Sequence, residues 1–94
     1  MDIKRAFGKA LQTLRKERGL TQEDFSDISS RTYLSTLERG LKSPTIEKVD
    51  DLARTLSIHP LTLLLQTYAN ADEVRDIEKL IEKIRAETNA LRCK

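Results

Sequence analysis

The chain has 94 residues, of which 34% are charged and 4% aromatic, with three glycines, two prolines and a formal net charge of +2. That length suits one small domain with an appendage and leaves no room for a large catalytic cavity, and the composition suits a helical protein without strands. A charge this near balance does not alone argue for nucleic acid, the single cysteine excludes an intramolecular disulfide, and the opening MDIKRAFGKAL has no apolar run suited to a signal peptide or membrane span. A soluble, cytoplasmic protein with no membrane partner is expected, with Cys93 a surface thiol.

A first helix is expected over about Ile3 to Arg18, with Phe7, Ala10, Leu11 and Leu14 at i, i+3, i+4 and i+7 as its buried stripe and Gly19 ending it. Leu20 enters the core. Thr21 then caps a second helix beginning at Gln22, where Glu23 and Asp24 suit the positive end of the helix dipole and Phe25 and Ile28 face inward. A third helix should run from Arg31 to Arg39. Ser30 can accept from the free amides of its first turn, and Gly40 can adopt the left-handed turn that closes a helix. In this stretch, SSRTYLSTLERG, the only aliphatic residues are Leu34 and Leu37, on one face, while Thr32, Ser35, Thr36 and Arg39 cluster on the other. One side anchors the helix and the other presents hydrogen-bonding groups.

The polar turn LKSP leads to a fourth helix capped by Thr45, with Ile46, Val49, Leu52, Ala53 and Leu56 at helical spacing and Ile58 buried as it ends. His59 and Pro60 open a fifth, short and apolar through Leu61, Leu64 and Leu65, because proline at the first helical position has a suitable φ and no amide to satisfy. These helices make up a domain over residues 1–68. Residues 69–94 are expected to form a sixth helix capped by Asn70. In it Val74, Ile77, Ile81, Ile84, Thr88 and Leu91 are spaced 3, 4, 3, 4, 3, an a/d seam widened by Leu80. The seam argues for self-association with strand direction open. In a parallel pair Glu73 would meet Glu78 and repel, and Glu87 would meet Arg92 and attract. Cys93 falls at an outer position, so no disulfide across the seam is expected.

Basic residues are concentrated early in the chain. Residues 1–43 hold nine Lys/Arg against six Asp/Glu, residues 44–69 two against three, and residues 70–94 six against six. Two helices joined by a tight turn, the second with an outward polar face, describe a helix-turn-helix, whose second helix enters the DNA major groove. The run LTQEDFSDISSRTYLSTLERG at 20–40, followed by SPTIEKVDDLARTLSIHPLTLL, resembles the Xre-type, lambda-repressor-like helix-turn-helix regulators, over about Phe7 to Leu65. Its RTYxS pattern is similar to that of restriction-modification controller proteins.

The resemblance implies an all-α fold: a five-helix lambda-repressor-like DNA-binding domain, here with an additional C-terminal helix. It implies double-stranded DNA as partner, with base contacts from Arg31, Thr32, Ser35 and Thr36 and backbone contacts from Gln22, Tyr33, Arg39, Lys42 and Ser43. Dimerisation is expected through Val74, Ile77, Leu80, Ile81, Ile84 and Leu91. Family members usually carry a longer connection, often with glycine, where this chain has only Asp27-Ile28-Ser29 before the recognition helix. A left-handed residue there would be a non-glycine, costing roughly 1–2 kcal/mol, so a shortened second helix is expected.

The expected function is a transcriptional regulator that represses by occupying operator DNA as a homodimer. An activator would also need a contact with RNA polymerase. An antitoxin would need the C-terminal helix to hold a cognate toxin, and an adaptor that does not read DNA would expose apolar anchors instead of the polar face. No enzyme, metal or cofactor is expected. The only histidine, His59, suits a helix start, one Cys and one His make no zinc set, Glu38 at a buried edge suits a structural bond, and no glycine-rich phosphate loop is present.

Overall fold

A computed structural model describes residues 1–92, and Cys93, with the expectation attached to it, lies outside them. Among the described residues there are five α-helices and no strand: α1 Ile3–Glu17, α2 Arg31–Glu38, α3 Ile46–Thr55, α4 Pro60–Ala71 and α5 Ile77–Arg92. Local chemistry sets most ends. The Asp2 carboxylate accepts from the Arg5 amide at 3.0 Å, Ser30 Oγ from Tyr33 at 3.1 Å, Thr45 Oγ1 from Lys48 at 3.0 Å and His59 Nδ1 from Leu61 at 3.0 Å. Gly19 and Gly40 follow α1 and α2 at φ 70° and 74°.

The expected second helix is reduced to one 3-10 turn, Gln22–Phe25, opened by Thr21 and Asp24, whose Oδ2 accepts from the Thr21 amide at 2.7 Å. The connection to α2 contains no left-handed residue. Ser26 donates to Glu23, and Ile28 and Ser29 both donate to Phe25, so right-handed turns absorb the short spacing that would otherwise have strained a non-glycine.

Phe7, Ala10, Leu11, Phe25, Leu34, Leu37, Val49, Leu52, Ala53, Leu56 and Leu63 form the buried core, with Leu14, Leu20, Ile28 and Ile58 half-buried against it. Each large side chain removed from water there contributes about 1.5–3 kcal/mol. Helix α4 is longer than expected, and its inward line is Leu63 and Thr67, both buried, then Asn70, whose Nδ2 donates to the Ala6 carbonyl at 3.2 Å. Asn70 therefore ties α4 to α1 and is not a cap, and α4 passes through the boundary expected after residue 68. Leu61 is 66% exposed on the opposite side. The last helix opens at Asp76, whose Oδ1 accepts from the Glu78 amide at 3.1 Å. Val74 falls before it, in the connection, with its amide bonded to the Ala69 carbonyl. The seam along α5 thus begins at Ile77.

Candidate nucleic-acid interface

Helix α2 has eight residues, too few to hold a helix in isolation, so its placement rests on tertiary contacts. Leu34 and Leu37 are fully buried and anchor one face. At its C-terminal end, Glu38 is clamped by Arg15 from α1: Nε to Oε2 at 2.7 Å and Nη2 to Oε1 at 3.0 Å, with side chains 10% and 2% exposed. The hydrogen bond to Glu38 raises the Arg15 pKa above its ordinary value, opposed by burial and reinforced by the Glu38 charge. Arg15 also donates to the Leu20 carbonyl at 3.0 Å, and Gln22 Nε2 donates to Glu38 at 3.2 Å. The structural bond expected of Glu38 is therefore a buried ion pair that also ties the 3-10 turn to α2.

The polar face lies opposite this anchor. Arg31 and Thr32 are exposed, and Ser35 and Thr36 are half-buried. Arg31 Nη1 lies 3.5 Å from Glu23 Oε1, with the two side chains 71% and 74% exposed. A pair so open to water holds by at most about 1 kcal/mol, so the guanidinium is free to exchange Glu23 for another partner. Thr36 Oγ1 donates to the Thr32 carbonyl at 2.8 Å, leaving the hydroxyl oxygen its acceptor capacity. Around this face, Gln22 and Tyr33 are half-buried and Arg39, Lys42 and Ser43 exposed. Among the described residues no cluster of metal-ligating side chains occurs.

A helix-turn-helix family model matches residues 11–63, more than half of the chain and the whole of this unit. The chain belongs to the Xre-type helix-turn-helix regulators. It is 39% identical over 69 residues to an uncharacterized HTH-type transcriptional regulator, y4dJ, of Sinorhizobium fredii, covering 71% of this chain and 90% of that one. It is 33% identical over 88 residues to the immunity repressor of Bacillus phage phi105, covering 83% of this chain and 61% of that one. Among solved structures, it is similar to the restriction-modification controller protein C.AhdI from Aeromonas hydrophila, with a TM-score of 0.59 and 33% identity over 63% of this chain and 92% of that one.

This helix-turn-helix departs from a sequence reading at three residues. Arg15 lies in register with Phe7 and Leu11, a charged residue on a buried stripe, which was the available signal for its partner Glu38. Gly8 sits inside α1 where a helix favours any other non-proline residue, a signal of close backbone approach. Lys48 stands three residues after the cap Thr45, where a capping box would place an acid.

Proposed function

We propose that this regulator binds operator DNA in a sequence-specific manner as a homodimer and represses by occupying promoter DNA. The observation that carries the reading is the α2 face of Arg31, Thr32, Ser35 and Thr36, presented by a helix whose other side is locked into the core. Arginine can donate twice to guanine, and the threonine methyl suits the thymine methyl. Gln22, Tyr33, Arg39, Lys42 and Ser43 flank that face and suit phosphate and sugar. The ion pair with Arg15 neutralises Glu38, so no unpaired carboxylate opposes the phosphates there. Kinship with a phage immunity repressor favours repression over activation.

Support for self-association is the apolar surface left by α5, which has no buried residue. Leu61, Leu64, Leu65 and Tyr68 of α4 face Leu80, Ile81 and Ile84 of α5 across a groove of about 730 Å³. Ile3, Ile46 and Leu61 extend this surface toward α1, with Ile46 88% exposed. An apolar face of this extent on a small domain is characteristic of an interface. A second copy fits it, since residues 70–94 carry balanced charge and present no net repulsion to their own kind. The division of labour is then DNA reading by the first four helices and pairing by α5 with the outer face of α4.

Two experiments test the two halves of this reading. Arg31→Ala should cost about 1–3 kcal/mol on a selected duplex and relax selectivity at one or two base pairs, whereas Lys42→Ala should weaken all binding and lower the salt slope by about 1. Mobility shifts across a salt series measure both. An equal loss of specific and nonspecific affinity in Arg31→Ala would make Arg31 a phosphate clamp. Ile81→Asp, which would bury an unpaired charge, should shift the protein toward monomer and weaken operator binding while leaving its helicity intact. Sedimentation equilibrium decides this, and an unchanged dimer would move the interface to the Ile46 side of Leu61.

A further inference from the structure

The two ends of α2 are held by different means. Its C-terminal end is fixed by the Arg15–Glu38 pair and by Gly8, whose ideal Cβ position lies 2.5 Å from the Leu37 carbonyl oxygen. Its N-terminal end carries Arg31 and Thr32 and follows the short, polar connection from the 3-10 turn, with Ile28 only half-buried. In a recognition helix the N-terminal turn reaches deepest into the groove. At this end Leu34 is fully buried and Ile28 and Tyr33 pack partly buried against the core, so the angle of the first turn depends on what holds that half-exposed pair.

Lys48 of α3 meets this end twice. Its Nζ donates to the backbone carbonyl of Ile28, two residues before the cap Ser30, and lies 5.8 Å from the ring centroid of Tyr33, in the first turn of α2. The side chain is half-buried, and its own helix offers it no reward, because a cation in the first turn opposes the helix dipole. The carbonyl and the ring face are what compensate it.

We propose that Lys48 is a positioning residue for DNA reading, a brace from α3 that holds the Ile28 carbonyl and the Tyr33 ring and so sets the angle at which Arg31 and Thr32 meet base edges. This role rests on the DNA-binding reading above. It acts where the short connection supplies no left-handed turn to set that angle.

The test compares wild type, Lys48→Met and Lys48→Arg on a duplex selected by the wild type from a random-sequence pool, against poly(dI-dC). Lys48→Met keeps the apolar stem and should lower the ratio of specific to nonspecific affinity about tenfold, the loss typical of one base contact. Lys48→Arg should recover most of that ratio. In a Tyr33→Leu background, Lys48→Met should have a smaller effect, because the two residues act as one unit. Amide chemical shifts should change over Ser29–Tyr33 and not over Leu37–Gly40, and thermal midpoints should stay close. An equal loss on both DNAs would make Lys48 a phosphate contact and overturn the inference, as would an unchanged ratio or undisturbed Ser29–Tyr33 amides. A wild type that selects no sequence removes the DNA reading itself and this role with it, whereas a wild type that selects one while Lys48→Met keeps the ratio removes only the brace.

Discussion

Glu38→Ala is expected to destabilise the domain by about 3–5 kcal/mol, the usual result of leaving one member of a buried pair uncompensated. The Arg15 guanidinium would keep its bond to the Leu20 carbonyl but lose both bonds to Glu38, inside a site where the two side chains are 10% and 2% exposed. Gln22 would lose its acceptor as well, so the 3-10 turn and α2 would separate at the point where they are joined. Urea unfolding of wild type and variant measures the difference. The double variant Arg15→Met, Glu38→Leu should recover a large part of it, because replacing both charges with apolar groups removes the desolvation penalty together with the attraction. A single-variant loss below about 1 kcal/mol would show that the pair is solvated in solution and behaves as a surface bridge.

Gly8→Ala should destabilise by about 3 kcal/mol, opposite in sign to what helix propensity alone gives. Alanine is favoured over glycine inside a helix by about 1 kcal/mol, so an isolated α1 would gain. In the folded protein the added Cβ would lie 2.5 Å from the Leu37 carbonyl oxygen and 2.6 Å from that of Glu38. Both obstacles are backbone, so neither can rotate aside, and α1 and α2 must move apart across Leu34 and Leu37. Comparing thermal unfolding of the variant with the helicity of an α1 peptide carrying the same change gives both signs. A stabilised Gly8→Ala protein would mean that α1 and α2 approach less closely than this.

Caps and breakers were legible in the sequence because they act within a few residues of themselves. Ser30, Thr45, His59-Pro60, Gly19 and Gly40 each satisfy or end a helix through an amide, a carbonyl or a φ value that no distant residue alters. The amphipathic split of α2 was legible for the same reason, since two leucines among hydrogen-bonding neighbours leave one possible inward face. The order LTQE, RTYLS, LERG, SPT then carried the family.

Only the tertiary structure decided features that depend on what lies across the core. In α4, Leu61, Leu63, Leu64 and Leu65 give almost no periodic contrast, so contact with α1 chose Leu63, Thr67 and Asn70 as the inward line and left Leu61 outside. An unbroken seam from Val74 to Leu91 suggested one helix, but α4 runs on to Ala71 and is closed by Glu73 at φ 54° with the Val74 amide bonded to the Ala69 carbonyl, so the last helix starts only at Ile77. The second helix shrank to a 3-10 turn because a short connection had to bring α2 onto the core without a left-handed residue. Arg15–Glu38 and Lys48–Tyr33 join residues 23 and 15 positions apart. One member of each pair leaves a local sign, a charge on a buried stripe or a cation in a first turn, but its partner is fixed only after the core has brought the helices together.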